Sequence, residues 1–228
     1  MEWGDYLFEA VEETAAQTGF PPGSRTVPFY RRAAELVSTF HPTGGSVLEI
    51  GGATGRFALE LWRLTRAPSI TVVEASHQFR RLATELRGLR ANEHLISLGF
   101  HHTFGSGPPS KALSMIREAL LAANIEVCSD LTEVRGEAYD TVVLLNVIDR
   151  ASRPDRLISN AIERTVPGGR LVISCPFAYI EPDDRDIYDI LDFLPTDRYL
   201  IETHLDYIIR VGPRKVVHHL SQFVITTC

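Results

Sequence analysis

The sequence predicts an α/β protein built on a doubly wound, mostly parallel sheet that ends in an antiparallel hairpin. Three observations predict it. From Ser46 onward, short apolar strand-like runs alternate with amphipathic helical ones. Tyr139–Asn146 (YDTVVLLN) is almost continuously apolar, as a central parallel strand covered on both faces must be. Ser46–Leu61 (SVLEIGGATGRFALEL) runs from an apolar strand through a glycine-rich turn into a helix. Glycine admits positive φ and close approach of the backbone, so such a turn delivers a ligand to a helix N-terminus.

Ahead of that strand, residues 4–40 read as two helices separated by Gly19-Phe20-Pro21-Pro22-Gly23. The second, near Val27–Phe40, carries an apolar face that includes Ala34, Leu36 and Val37. Both are expected to pack across the top of the sheet, so that residues 1–40 form a helical cap and residues 41–228 the main domain. After the turn, a helix runs to about Arg66 and Ser69–Glu74 (SITVVE) forms a second strand. His77–Leu89 is an amphipathic helix. Gly99–Lys111 (GFHHTFGSGPPSK) is rich in turn residues and reads as a loop. A helix near Ala112–Ala123 and a strand at Ile125–Cys128 follow. Helix Arg153–Thr165 is stopped by Pro167-Gly168-Gly169, and Arg170–Cys175 makes a fifth strand. Asp184–Leu194 has a helical pattern. Tyr207–Val211 and Val216–Thr226, joined across Gly212-Pro213, read as an edge hairpin.

The 228 residues suffice for one domain with a substantial core, and 44% hydrophobic with 23% charged content is that of a globular protein. No apolar run reaches the roughly 18 residues of a membrane helix. The acidic N-terminus MEWGDYLFEAVEE lacks the basic flank and apolar stretch of a signal peptide, so a cytoplasmic location is expected. Cys128, Cys175 and Cys228 form neither a disulfide framework nor a metal-ligand pattern, and His101-His102 has no third ligand at useful spacing. The net charge of −6 disfavours a nucleic-acid partner, and Arg80, Arg81, Arg87 and Arg90 with Glu85 read as a solvated helix face.

The turn discriminates between two cofactors. A dinucleotide fingerprint places glycine at the first, third and sixth turn positions, which here are Gly51, Ala53 and Arg56. Two of those positions fail, and a bulky Arg56 suits a pyrophosphate poorly. The pattern acidic-x-Gly-x-Gly-x-Gly is met by Glu49, Gly51 and Gly55, with Ala53 at the middle glycine. The turn from Gly51 and Gly52 to Arg56 is therefore read as a site for S-adenosylmethionine (SAM).

In a doubly wound sheet, ligands bind beyond the carboxyl ends of the strands. Glu74 closes the second strand there, next to Ala75, and its forked carboxylate can accept from both ribose hydroxyls. Asp130, followed by Leu131, is placed for an adenine amino group. Asn146 and Asp149 leave the central strand where the methyl of the cofactor should point, with Arg150 beside them. A plain methyl transfer needs nothing so polar at that point.

Across its length the chain resembles class I SAM-dependent methyltransferases, which implies a Rossmann-like fold. A closer resemblance rests on Asn146-Val147-Ile148-Asp149-Arg150, Cys175-Pro176-Phe177 and the tail Arg214-Lys215-Val216-Val217-His218-His219-Leu220-Ser221-Gln222. These segments are similar to the C-terminal methyltransferase domain of ovothiol synthase, which N-methylates the imidazole of 5-thiohistidine. Protein-histidine N-methyltransferases share the Asn-x-x-Asp-Arg stretch and the Pro-Phe, and differ in the tail. The resemblance implies a small imidazole acceptor bound by Asn146, Asp149, Arg150, Phe177, Arg214 and His218, with no metal and no membrane partner. A carboxylate accepting from the imidazole N–H fixes the tautomer and aims the other nitrogen. Asp149 is expected in that role, with Asn146 as the second catalytic group. Tyr6, Tyr30 and Arg31 are expected to close the pocket from the N-terminal side.

Overall fold

The structure, a computed structural model, describes residues 29–81, 122–123, 125–136, 138–178, 189–194, 199–212 and 215–228, without the side chains of 208–212 and 215–216. Helix α1 (Phe29–Phe40) precedes β1 (Val47–Ile50), α2 (Arg56–Thr65), β2 (Ile70–Val73), β3 (Ile125–Cys128) and β4 (Tyr139–Leu145). A 3₁₀ turn at Ile148–Arg150 leads to α3 (Pro154–Glu163), β5 (Thr165–Cys175), a second 3₁₀ turn (Ile190–Phe193), β6 (Tyr199–Gly212) and β7 (Lys215–Thr227). These strands form one sheet in the order β3-β2-β1-β4-β5-β7-β6. The first five are parallel, and β7 pairs antiparallel with both β5 and β6. The predicted doubly wound sheet with its antiparallel hairpin is the observed fold.

Alternation along the strands builds a core on each face. In β4, Val143 and Leu145 join Phe57, Leu61, Phe223, Ile225 and the buried face of α1 on one side. Val142 and Leu144 join Ile50, Leu171, Ile173, Val224 and α3 residue Ile158 on the other.

Three expectations are corrected. Helix α1 does not lie across the top of the sheet. It packs on the face it shares with α2 and β6, burying Phe29, Ala33, Ala34 and Val37, the i, i+4, i+5, i+8 stripe of an amphipathic helix. Strand β5 begins at Thr165, before Pro167-Gly168-Gly169, which the sequence reading took as a stop. Tyr139 pairs with Thr165 and Thr141 with Arg170, so Val166–Gly169 loops out of register and β5 then resumes. Gly168, at φ 77°, is held there by its N–H to the Cys228 carbonyl at 2.6 Å. Within the predicted Asp184–Leu194 helix, the described part is a 3₁₀ turn, capped by Asp189 Oδ1 accepting from Leu191 N at 2.9 Å.

The first N-terminal helix, Tyr6, the 99–111 loop with His101-His102, Arg214, and most of the helices predicted after His77 and Ala112 lie outside the described residues.

Candidate functional site

The carboxyl ends of β1, β2, β3 and β4 open into one cavity of about 710 Å³. Its floor is the turn after β1. Gly51, Ala53 and Gly55 all adopt left-handed backbone, at φ 76°, 47° and 78°. A Cβ on Gly51 would stand 2.5 Å from Val147 Cγ2, and one on Gly52 2.6 Å from Val72 Cγ1 and 2.7 Å from Glu49 Cδ. Glycine at 51 and 52 is thus required by close approach. At 55 it is required by φ alone, since an added Cβ would meet only Val72 Cγ2 at 3.9 Å. Ala53 is the unusual member, a non-glycine residue held in the left-handed region.

Two carboxylates frame the turn. Glu74 lines the cavity, with Oε2 accepting from Ala53 N at 2.8 Å and Oε1 from Ser76 N at 2.7 Å. Each oxygen keeps a second lone pair, so the fork is oriented without being saturated. Glu49 lies beneath, fully buried, accepting from Ala58 N at 3.2 Å. Burial pushes its pKa up to about 8, with the Glu74 charge adding to the rise and the Ala58 N–H opposing it. At neutral pH this carboxyl is mostly protonated.

The far wall comes from β3. Asp130 and Leu131 both line the cavity. Asp130 Oδ1 accepts from the Thr132 hydroxyl and, at 2.6 Å, from Thr132 N, and these bonds hold its pKa below the usual value. Ala75, Ser76 and Phe79 complete this end.

At the other end, Asn146 leaves β4 in the left-handed region at φ 53°. Its Oδ1 accepts from Ser174 Oγ and Ser221 Oγ, each at 2.8 Å, and its buried Nδ2 has no partner among the described residues. A strained residue fixed by two neighbouring strands beside a cavity is a mark of a functional position. Tyr30 from α1, Tyr207 from β6 and Arg150 line the same end. Phe29 packs against both tyrosines, with ring centroids 5.2 Å and 5.0 Å away.

Glu49, Gly51, Gly52, Ala53, Glu74, Ala75, Asp130, Leu131, Asn146 and Arg150 all line this one cavity. Others do not. Arg56 is buried on α2 in an ion pair with Glu60 at 3.0 Å, and Gly55 serves as the helix N-cap. Asp149 does not face the cavity. Its side chain is wholly buried behind the wall, where Oδ2 accepts from Ala178 N at 3.2 Å and burial raises its pKa. Phe177 packs into the core on that side, at φ 51°. His218 is turned outward, 2.6 Å from Asp206 Oδ1. Its neighbour His219 takes the inward face, 6.3 Å from the Tyr207 ring, and burial and the charge of Arg150 lower its pKa. Arg31 pairs with Glu35 on an exposed face and lines a different groove. Cys175, beside Asp149, has its thiol pushed up to about 12 by burial and then by that carboxylate, so it stays protonated.

Tyr207 and Ser221 escaped the sequence reading as site residues. Cross-strand register supplies the signal, because Tyr207 pairs with His219 and Ser221 lies two residues on, on the same face. Among the described residues no group of three or more His, Cys, Asp or Glu side chains could hold a metal ion, and no helix is long and apolar enough to cross a membrane.

A doubly wound sheet with a left-handed glycine turn, a carboxylate just past the end of β2 and a polar residue leaving β4 is the layout of an α/β fold that binds its ligand beyond the carboxyl ends of the strands. The family model described as a methyltransferase domain matches residues 25–209, and the chain belongs to that family. Three solved structures share the fold. An assigned RNA methyltransferase of Pyrococcus horikoshii is 12% identical over 89% of this chain and 86% of its own, with a TM-score of 0.56. The precorrin-6y C5,15-methyltransferase of Geobacter metallireducens is 12% identical over 87% and 86%, with a TM-score of 0.54. An O-methyltransferase of Bacillus cereus, in complex with S-adenosylhomocysteine (SAH), is 18% identical over 97% and 91%, with a TM-score of 0.51. Comparison with curated proteins gives no match. The chain is a SAM-dependent methyltransferase, and the turn, left-handed at Gly51, Ala53 and Gly55 and too close for a Cβ at Gly51 and Gly52, fits that cofactor.

Proposed function

We propose that this enzyme N-methylates the imidazole of a small histidine-derived thiol, 5-thiohistidine, the reaction of ovothiol biosynthesis. The observation that carries this reading is the acceptor end of the cavity, where Ser174 and Ser221 hold Asn146 in the left-handed region and Tyr30, Tyr207 and Arg150 line the same space. The Asn-x-x-Asp-Arg stretch that resembles imidazole methyltransferases supplies two of those groups.

In this reading Gly51, Gly52 and Ala53 cradle the cofactor, Glu74 takes its ribose hydroxyls, and Asp130 and Leu131 take its adenine. SAM supplies a sulfonium methyl for in-line displacement. The protein's task is then to position and desolvate the acceptor. A free imidazole has a pKa near 6.5, so much of it is neutral at pH 7 and needs no strong base. Its N–H proton passes to solvent once the other nitrogen is methylated. Because Asp149 stands behind the wall, orientation of the ring falls to Asn146, and Asp149 acts as a positioning residue. Residues 1–40 are assigned as the cap of this site although α1 packs on a face of the sheet, because Tyr30 at its start reaches the cavity.

The test incubates the enzyme and SAM with 5-thiohistidine, histidine, a histidine-containing peptide and tRNA, and reads methylated product by mass spectrometry. N-methyl-5-thiohistidine is expected. Methylation of the peptide alone would make this a protein-histidine methyltransferase, and methylation of tRNA alone would overturn the imidazole reading.

A further inference from the structure

We propose that Arg150 is a carboxylate receptor at the acceptor end, so that the acceptor is a planar ring bearing a carboxylate, as an amino acid does. This rests on the acceptor end assigned above and names what that end recognises.

Arg150 follows Asn146 by one turn of chain and lines the cavity together with Ala151 and Leu157. Its side chain is about one-third exposed, at 35%. Among the described residues, the one oxygen within ion-pair distance is Asp149 Oδ1, 3.8 Å from Nε, too long for a hydrogen bond. That contact reaches the Nε edge of the guanidinium and leaves its terminal nitrogens without a described partner. The Asp149 side chain is fully buried and accepts from the backbone at Ala178, so it stands behind Arg150 without occupying the fork.

The other acids of the cavity do not answer this charge. Glu74 is committed to Ala53 N and Ser76 N, Asp130 to Thr132, and both stand on the nucleoside side. Glu49 is mostly neutral near pH 7. The cavity is thus polarised, with carboxylates toward β2 and β3 and a cation where β4 ends. Among the described side chains the inward face of β7 supplies no counter-charge, since it presents Ser221 and His219, an imidazole whose pKa is lowered first by burial and then by Arg150. A guanidinium in largely apolar surroundings is stabilised by an anion, and its two parallel N–H donors match a carboxylate in particular. Tyr30 and Tyr207 give the flat walls that a ring would fill.

A carboxylate also exists on the methionine part of the cofactor, and the experiment separates the two sources. Calorimetry on the full chain loaded with SAH compares ring pairs that differ by a carboxylate: histidine with histamine, and tyrosine with tyramine. In the wild type, the carboxylate-bearing member of at least one pair is expected to bind about tenfold tighter or more. Arg150→Met should bring that ratio within about twofold of unity and leave the dissociation constant of SAH unchanged, while Arg150→Lys keeps part of the preference. Circular dichroism and Tm establish that each variant is folded, and if Arg150→Met does not fold, Arg150→Lys against wild type decides. A ratio near one for both pairs, absence of binding by either pair, or a ratio that survives Arg150→Met overturns the proposal. A parallel loss of SAH affinity overturns it too, since the carboxylate is then the cofactor's. A preference confined to the tyrosine pair keeps the receptor and removes the imidazole.

Discussion

Ser221 Oγ donates to Asn146 Oδ1 at 2.8 Å, joining the inner strand of the C-terminal hairpin to the residue that ends β4, 75 positions earlier. Asn146 occupies the left-handed region at φ 53°, which a non-glycine residue keeps only when its surroundings over-determine it. The hairpin is therefore part of the site and not only an edge of the sheet. Ser221→Ala should lower stability by about 0.5–1.5 kcal/mol, the range for a neutral hydrogen bond, and leave SAH affinity within about twofold. Methyl transfer should fall further, about three- to tenfold, because the amide loses one of two donors that hold it. Single-turnover kinetics beside urea unfolding check this. A rate unchanged once the folded fraction is corrected would show that Ser174 alone fixes Asn146.

Gly51→Ala should be the most damaging small substitution in the turn. The new methyl would lie 2.5 Å from Val147 Cγ2 at a φ of 76°, so crowding and backbone strain add. A loss of about 2–4 kcal/mol in stability and more than tenfold in SAH affinity is expected. Ala53→Gly is the control. It relieves a left-handed alanine worth about 1 kcal/mol and loosens the unfolded chain by a similar amount, so stability should move by less than about 1 kcal/mol. Thermal melts with and without SAH separate the two outcomes.

Local chemistry explains how far the sequence could be read. The turn was legible because glycine, alanine and the two glutamates are each dictated by contacts within a few residues or by the neighbouring parallel strand. The polarity of Asn146 and Arg150 stood out against the apolar β4 for the same reason. Whether an adjacent residue faces in or out was not legible where the chain leaves regular structure. Asp149 sits in the middle of a 3₁₀ turn whose periodicity differs from the strand before it, and this turn sends its carboxylate behind the wall. His218 and His219 were known to face opposite ways, but which one faced the site depended on the pairing of Tyr207 with His219. The start of β5 was not legible because Pro167-Gly168-Gly169, expected to stop the preceding helix, is here a bulge within the strand, held by Cys228.

Glu49 predicts a pH dependence of stability. Its pKa in the folded protein is about 8, against 4.5 for a free glutamate side chain. Between those values the folded state holds more protons than the unfolded one, so stability falls as pH rises, by at most about 1.4 kcal/mol per pH unit. The contribution is complete below pH 4.5 and lost above pH 8. Glu49→Gln mimics the protonated form and should flatten this slope, so that its advantage over wild type widens from pH 5.5 to pH 8.5. Guanidinium unfolding at both pH values measures the difference. A wild-type slope that the substitution leaves intact would mean that Glu49 is ionised throughout.

Asp149→Asn tests the division of labour at the acceptor end. Asp149 has no exposed side-chain surface, so it cannot meet an acceptor directly, yet its charge lies 3.8 Å from Arg150 Nε. The amide oxygen can still accept from Ala178 N, and removing a buried carboxylate whose pKa burial has raised relieves desolvation. Folding stability should therefore change by less than about 1 kcal/mol, and SAH binding by less than about twofold. What changes is the anchorage of Arg150. Its guanidinium keeps its charge but loses the group that orients it, so the KM for a carboxylate-bearing acceptor should rise about tenfold while kcat falls less. Direct proton abstraction by Asp149 would give the opposite split, a collapse of kcat at unchanged KM and loss of the acid limb of the pH profile. Steady-state kinetics of Asp149→Asn against 5-thiohistidine across pH 5.5–9 distinguish the two, and unchanged values of both constants would place Asp149 outside the mechanism.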